Sequence, residues 1–490
     1  MTIDAFRSES RMLAGGRLTE AADGKTFPVI NPATEDVIGT VTDAAAADMD
    51  AAIAAARTAF DDSKWATDRE LRKHALAQLR DAIADDLDAW RGELVAETGC
   101  PVALTYAVQL DGPVSDNFAW AIDMIDSFEW ERDAGVADSL GSPSRGMVVK
   151  EPIGVIGAIV PWNYPVEVTM TKIVSALAAG NTVVLKPAPD TPLNATRLGR
   201  LAAEHTDLPP GVFNVVPSSD HLVGEVLTTD RRVDAISFTG STATGRRIMG
   251  VAAPTLKRLF LELGGKSAHI MLDDAALPEV VAAATMVCAH AGQGCAMNTR
   301  LLLPRSHYDE GIEMLTHAFA SFPYGDPTDP AVYMGPVISE RQRQRILGYV
   351  EKGISEGARL AVGGKIPEHL SKGYFVEPTL FVDVDNSSAI AQEEIFGPVL
   401  CVIPYETEDE AVRIANESDY GLSGAVTSAS TERGLAVARR IRTGTITVNG
   451  GSYFRRDLPF GGYKDSGIGR QTGREGFEGL LETKTIGLPV

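Results

Sequence analysis

The chain has 490 residues, more than one hydrophobic core usually serves, so two or three domains are expected. Its 44% hydrophobic and 23% charged content is that of a globular protein, and a net charge of -21 argues against nucleic-acid binding by repelling phosphate backbones. No apolar run approaches a membrane span, and Met1–Arg7 lacks the basic start and apolar core of a secretory signal. Four scattered cysteines (Cys100, Cys288, Cys295, Cys401) without CxxC spacing argue against a disulfide framework or zinc site and favour a reducing, cytoplasmic setting.

Taken in order, alanine-rich stretches with regularly spaced apolar residues predict helices over 47–62, 68–89 and about 104–128. Gly135, Gly141, Ser142 and Pro143 make 133–145 read as a turn-rich connector, followed by a short strand at 146–150. From Gly154 the pattern is α/β. Apolar strands at 154–160, 182–185, 212–216, 235–238 and 258–262 alternate with helices near 166–179, 193–206, 221–228 and 243–252. This describes a mostly parallel sheet covered on both faces, able to hold a nucleotide at its carboxyl edge. A second α/β region spans about 263–440, with strands near 268–271, 300–303, 381–384 and 399–404. The tail at 482–488 alternates like an edge strand, open to pairing with its own chain or with another subunit.

One thiol stands out. Cys295, in Gly292-Gln293-Gly294-Cys295, lies 33 positions after Glu262, which opens Glu262-Leu263-Gly264-Gly265-Lys266. A thiol and a carboxylate set among glycines read as a nucleophile and a base held on tight backbone turns. The eight histidines form no metal-binding set, and His290 follows an apolar helical run where it reads as a core or surface residue. A Cys–His pair formed in space stays open, but Glu262 is the better base candidate. Asn163, between Pro161-Trp162 and Tyr164-Pro165 just past a strand, reads either as an oxyanion donor or as the start of an Asx-turn. The G-x-G-x-x-G fingerprint is absent. In its place, Phe238-Thr239-Gly240-Ser241 opens a helix where an anion or a plain N-cap fits, and Lys186-Pro187-Ala188-Pro189 brings a cation to the same sheet edge.

These motifs, with Glu394-Ile395-Phe396-Gly397-Pro398, Asn449-Gly450 and Pro459-Phe460-Gly461-Gly462, stand in the order of a known family. The chain resembles the NAD(P)+-dependent aldehyde dehydrogenase superfamily along essentially its whole length. The resemblance implies an α/β fold of three parts: a Rossmann-like nucleotide-binding domain (1–129 and 151–262), an α/β catalytic domain (263–440) and a small β oligomerisation arm (130–150 and 480–490). Residues 441–479 would return to the nucleotide-binding domain and line the substrate tunnel. A homo-oligomer is implied, a dimer or a dimer-of-dimers tetramer, and this favours the intermolecular reading of the tail.

The resemblance also assigns roles. Cys295 attacks an aldehyde, Asn163 and the Cys295 backbone N–H hold the oxyanion, and Glu262 activates the water that hydrolyses the thioester. NAD is the implied cofactor, with NADP left open. Its contacts would come from Ile159, Val160, Pro161, Trp162 and Lys172, from Lys186, Ala188 and Pro189, from Gly240 and Ser241, and from Leu263, Gly264, Glu394 and Phe396. Many NAD-preferring relatives carry an acidic residue where this chain has Pro189, so strict NAD selectivity is in question. Val168, Thr171, Ala296, Phe454 and Phe460 would line the substrate tunnel, which the small Val168 and Thr171 make roomy. An inward-facing Arg455 or Arg456 would favour a semialdehyde; outward, both leave a neutral aldehyde as the default. No metal is implied. A coenzyme A-acylating relative and a non-enzymatic use of the fold are disfavoured by the presence of Glu262, and of Cys295, Glu262 and Asn163 together.

Overall fold

The computed structural model describes residues 8–490, so the reading of Met1–Arg7 lies outside it. The first sheet has eight strands in the order Arg17–Thr19, Met12–Ala14, Phe213–Val215, Thr182–Lys186, Val155–Ile159, Ala235–Thr239, Arg258–Glu262 and Gly467–Ile468. The five from Phe213–Val215 to Arg258–Glu262 are parallel, and antiparallel strands flank them on both sides. Helices cover both faces, which is why Thr182–Lys186 is buried at every position and reads as a continuous apolar run. The parallel strands begin at Val155–Ile159, wind outward to Phe213–Val215, then cross back to Ala235–Thr239 on the other side. That reversal opens a crevice at the carboxyl ends of Val155–Ile159 and Ala235–Thr239, where doubly wound sheets bind ligands.

The second sheet has seven strands, Arg359–Val362, Thr379–Val382, Val399–Tyr405, Arg300–Pro304, Ala268–Met271, Gly424–Thr427 and Thr447–Val448, parallel except for the first. It has its own apolar core around Leu301, Leu302, Leu400 and Val402. The segment after Thr447–Val448 leaves this sheet and adds Gly467–Ile468 to the edge of the first, pairing Gly467 with Glu262. The carboxyl end of the Glu262 strand is therefore clamped from both sides.

A third sheet corrects the sequence reading. Residues 133–145 are no connector: Glu131–Ser139 and Ser142–Pro152 form a long antiparallel hairpin. Its two-residue turn is Leu140-Gly141, both at positive φ (54° and 81°), the type I′ geometry that matches strand twist. The glycines and prolines that signal a loop here make that turn and a bulge beside Gly135. The tail strand Leu481–Pro489 pairs along its whole length with Ser142–Pro152 of its own chain, which leaves its other edge free.

The helices at Ala46–Asp62, Leu193–His205 and His221–Thr229 follow the sequence pattern to within a residue or so. Arg69–Thr98 runs well past the expected end, until Gly99 at φ +68° caps it. The predicted helix at 104–128 is interrupted. A π-turn, Thr105–Gln109, precedes Asp111–Ser127, because Gly112 lets the Ala107 carbonyl approach to within 2.2 Å of where a Cβ would stand. No helix among the described residues is long and apolar enough to cross a membrane.

Candidate active site

Cys295 sits on a turn between the helix Leu277–Thr285 and the strand Arg300–Pro304. The helical run does not continue into it. The backbone breaks at Ala289, and His290 (φ +49°), Ala291 (φ +53°) and Gly292 (φ +71°) follow in left-handed conformation. For His290 and Ala291 this strain costs about 1–3 kcal/mol each and persists only where surrounding contacts impose it. Gly292 has no alternative, since a Cβ there would meet the Gly397 carbonyl oxygen at 2.0 Å. Gln293 is fully buried and cross-links the turn to the neighbouring loop: its Nε2 donates to the His290 and Pro336 carbonyls, and its Oε1 accepts from the Ile338 N–H at 2.9 Å.

The glycines after Glu262 do something other than turn the chain. Neither Gly264 nor Gly265 has positive φ. A Cβ on Gly264 would lie 2.4 Å from Glu394 Oε2, and one on Gly265 would lie 2.4 Å from the Cys295 carbonyl oxygen. Their role is close approach: they let Glu394 and the Cys295 turn settle against the backbone that follows Glu262. Glu394 Oε1 accepts from the Gly265 N–H at 3.0 Å. Helix Glu340–Ser355 steadies that segment, with Gln342 Nε2 donating to the Phe396 carbonyl (2.7 Å) and Arg345 to the Glu394 carbonyl (2.7 Å).

Glu262 ends the parallel strand Arg258–Glu262 and is 3% exposed, with no hydrogen-bond partner on either carboxylate oxygen. Burial pushes its pKa up to about 8, against the opposing pull of Lys172 and Arg470. Lys172 is buried in turn. Its Nζ donates to Ser237 Oγ at 3.0 Å, and desolvation lowers its pKa to about 7 although Glu262 and Glu167 favour its charge. Burial first, then Glu394, Glu262 and Glu167, push the Cys295 thiol up to about 12. At rest the site therefore holds a protonated thiol facing a carboxyl that titrates near neutrality.

Asn163 is 5% exposed, and its Nδ2 donates to the Gln293 carbonyl at 2.8 Å, so it bridges to the nucleophile turn instead of closing an Asx-turn. Its own carbonyl accepts from Gln109 Nε2 (3.0 Å) and from His290 Nε2 (2.8 Å). No Cys–His pair forms through His290, whose ring is engaged with the Asn163 backbone.

Cys295, Glu262 and Asn163 open onto one cavity of about 740 Å³. This lies in the size range of small-molecule and cofactor sites. One end is the crevice at the sheet switch point, walled by Trp162, Gly240, Ser241, Leu263, Glu394 and Phe396. Ser241 caps the helix Thr242–Ala252, accepting from the Thr244 N–H, while Trp162 and Phe396 meet edge to face at 5.3 Å. The other end is a tunnel between the helix Pro165–Ala178 and the loop around 453–460. Rings of Tyr453 and Phe454 stack there at 4.9 Å, with Phe460 about equally far from both at 6.3 and 6.2 Å.

A half-buried cysteine and a buried carboxylate where a sheet-edge crevice meets an apolar tunnel match a known architecture. Residues 18–486 match the aldehyde dehydrogenase family. The chain belongs to that family. It is 43% identical to the Mycobacterium tuberculosis aldehyde dehydrogenase whose crystal structure holds NAD+, with 98% of each chain covered and a TM-score of 0.94. The betaine aldehyde dehydrogenase of Staphylococcus aureus, also solved with NAD+, is 36% identical, with 99% of this chain and 96% of that one covered and a TM-score of 0.95. A mitochondrial aldehyde dehydrogenase of Leishmania tarentolae is 40% identical over 488 residues, covering 98% of this chain and 94% of its own.

Within this aldehyde dehydrogenase the predicted site residues fall into two groups. Pro161, Trp162, Gly240, Ser241, Gly264 and Leu263 lie on the cavity wall with Glu394 and Phe396, as do Val168, Thr171, Ala296, Phe454 and Phe460. Ile159, Val160, Lys172, Lys186, Ala188 and Pro189 do not. Lys172 is buried within electrostatic reach of Glu262 and not on an open surface. Lys186, nearly buried, donates to the Ser218 carbonyl at 3.3 Å and packs its chain against Gly224 in helix His221–Thr229, while Pro189 is exposed. Several wall residues escaped the sequence reading. Ala107 and Val108 belong to the π-turn, which has no sequence signature, and Arg341 and Arg345 come from a helix far along the chain. Tyr164, Met297 and Tyr453 flank motifs already singled out, and that proximity was the available signal.

The tunnel arginines are resolved as well. Arg455 lies at the exposed rim of the cavity, paired with Asp457 at 2.6 Å. Arg456 faces inward, but its guanidinium donates to Glu167 Oε1 (2.8 Å) and Thr171 Oγ1 (3.0 Å), so its charge is answered within the wall.

Proposed function

We propose that this protein oxidises an aldehyde to the carboxylic acid with NAD+, Cys295 forming the covalent intermediates. One observation carries the reading: Cys295, the unpartnered carboxylate of Glu262 and the Asn163 amide open onto a single cavity between a dinucleotide crevice and an apolar tunnel. Glu262 takes the thiol proton, and the thiolate adds to the aldehyde carbon to give a thiohemiacetal. The Asn163 amide and the Cys295 backbone N–H hold its oxyanion. Loss of hydride from that carbon leaves a thioester; Glu262, having released the thiol proton to solvent, then takes a proton from the attacking water and returns it to the departing thiolate, freeing the acid.

The residues present fit the cofactor. Ser241 lies at the positive end of helix Thr242–Ala252 for a pyrophosphate, Trp162 and Phe396 form an aromatic wall, and Glu394 reaches the cavity for a ribose. Bound there, NAD+ supplies the hydride acceptor. Lys186, Ala188 and Pro189 would meet the adenosine ribose outside the cavity wall. Pro189 offers no carboxylate to repel a 2′-phosphate, so NADP+ is the secondary cofactor.

A neutral aldehyde fits the tunnel better than a semialdehyde, because Glu167 already answers Arg456. The three-part domain division and a homo-oligomer built on the arm belong to the same reading, supported by the free outer edge of Leu481–Pro489. The buried, unpaired Cys100, Cys288 and Cys401 suit a reducing compartment such as the cytoplasm.

The test is a panel of neutral and carboxylate-bearing aldehydes assayed with NAD+ and NADP+ by reduced-cofactor absorbance, alongside C295A. Oxidation of neutral aldehydes with NAD+ ahead of NADP+, abolished in C295A while nucleotide binding persists, is expected. Turnover by C295A would refute the nucleophile.

A further inference from the structure

His290 is the buried titratable group that this chemistry leaves unused. It is 1% exposed, sits five residues before Cys295 and is held at φ +49° in a run of three left-handed residues. A core histidine needs no such backbone, so the conformation asks what it accomplishes. It brings Nε2 within 2.8 Å of the Asn163 carbonyl oxygen.

The chemistry of that contact settles the tautomer. A carbonyl oxygen only accepts, so Nε2 carries the proton. Nδ1 is buried with no partner, which leaves it unprotonated and the ring neutral. Tyr164 packs edge-on against the imidazole at 5.4 Å and fixes its plane. On the same carbonyl, Gln109 donates from the π-turn at 3.0 Å, so both lone pairs are used. The backbone at Asn163 is thus gripped by two donors from separate elements, while its side-chain amide is tied to the Gln293 carbonyl in the nucleophile turn.

We propose that His290 is a positioning residue for the oxyanion site: its Nε2–H anchors the Asn163 main chain, so that the Asn163 amide is held in register with Cys295. The inference rests on Asn163 acting as the oxyanion donor. His290 touches neither substrate nor cofactor and acts through Asn163 alone. Because the same left-handed run aims His290 at Asn163 and presents Cys295, nucleophile and oxyanion donor are aligned by one piece of backbone.

The experiment compares H290Q, whose amide places a donor near the Nε2 position, with H290L, which fills the space without one, each alone and combined with N163A. The readouts are the single-turnover rate of reduced-cofactor formation, KM for the aldehyde, NAD+ affinity and the thermal midpoint. Displacing an aligned group by about an ångström costs on the order of a hundredfold in rate. H290L is therefore expected to slow the burst by about tenfold to a hundredfold with KM and NAD+ affinity little changed, H290Q to recover most of it, and H290L to add nothing in the N163A background. A wild-type burst in H290L beside an impaired N163A overturns the proposal alone, as does a loss that adds in full to that of N163A. A wild-type burst in N163A removes the oxyanion assignment and the proposal with it. If H290L does not fold, H290A, which adds no bulk, is read by the same criteria.

Discussion

The Cα of Gly265 faces the Cys295 carbonyl so closely that a Cβ built on the glycine would lie 2.4 Å from that oxygen. The segment just after the Glu262 strand and the Cys295 turn, 30 positions apart in sequence, are in backbone contact. Glycine is required here for space, since the φ of Gly265 is not positive.

Gly265→Ala is therefore expected to displace the nucleophile turn, because the opposing atom is backbone and cannot rotate away. Overpacking of this kind costs about 1–3 kcal/mol, and misalignment at Cys295 should lower kcat/KM by on the order of a hundredfold. Gly250, in the helix Thr242–Ala252 with nothing near its Cβ position, is the control: Gly250→Ala should keep full activity and gain about 0.5–1 kcal/mol. Thermal midpoints and steady-state kinetics of the two variants check the contrast.

Burial pushes the Glu262 pKa up to about 8, so the carboxylate proposed to drive hydrolysis becomes plentiful only as the pH rises through that value. Where hydrolysis limits turnover, kcat should climb to a plateau above about pH 8. Glu262→Gln should form the thioester slowly, having lost the base that takes the thiol proton, and then stall before hydrolysis. The linkage runs the opposite way for stability. Between the ordinary carboxyl pKa of 4.5 and about 8 the folded state keeps a proton that the unfolded chain has lost, so this group's contribution falls as pH rises through that window. Glu262→Gln should thus melt higher than the wild type at pH 9 and nearly level with it at pH 4. An unchanged difference across the range would show that Glu262 titrates normally.

The thiol of Cys295 is pushed up to about 12 by burial and by Glu394, Glu262 and Glu167. Without cofactor or substrate, its alkylation by iodoacetamide should be slow at pH 7 and still rising at pH 9. Glu394→Gln removes the largest of the three charges and should speed the reaction. Mass spectrometry of the modified peptide would separate Cys295 from the three buried cysteines.

Glu167 neutralises Arg456 at the tunnel wall through a half-buried pair at 2.8 Å. Glu167→Gln frees the guanidinium while keeping a neutral partner for Thr171. Aldehydes with a distal carboxylate should then gain about tenfold in kcat/KM, in keeping with one charge-assisted contact of 1.5–3 kcal/mol discounted for water at the tunnel mouth, while neutral aldehydes change little. Equal responses of the two classes would mean that Arg456 does not face the substrate.

Local pattern made most of the first sheet readable, because strands buried on both faces, such as Thr182–Lys186, must be continuously apolar. The same logic failed at 133–145, although the strand expected at 146–150 lies within Ser142–Pro152. An exposed hairpin needs no apolar run, and the Gly141 that marks its turn reads equally well as a loop. The π-turn at Thr105–Gln109 was illegible for a related reason. It depends on Gly112 admitting the Ala107 carbonyl, a contact that no periodicity encodes.

By itself the sequence picked out the residues proposed to do the chemistry. Cys295, Glu262 and Asn163 each stand at a strand end or turn, and the glycines beside two of them mark where bulk is forbidden. Tertiary structure decided what those glycines are for, where His290 points and whether Arg456 is available. Each of these depends on which backbone comes to lie opposite: Cys295 against Gly265, Asn163 against His290, Glu167 against Arg456. Chain order carries the identity of a side chain and its local conformation. Its partner is set only when two sheets and the segment returning from Thr447–Val448 to Gly467–Ile468 close around one cavity.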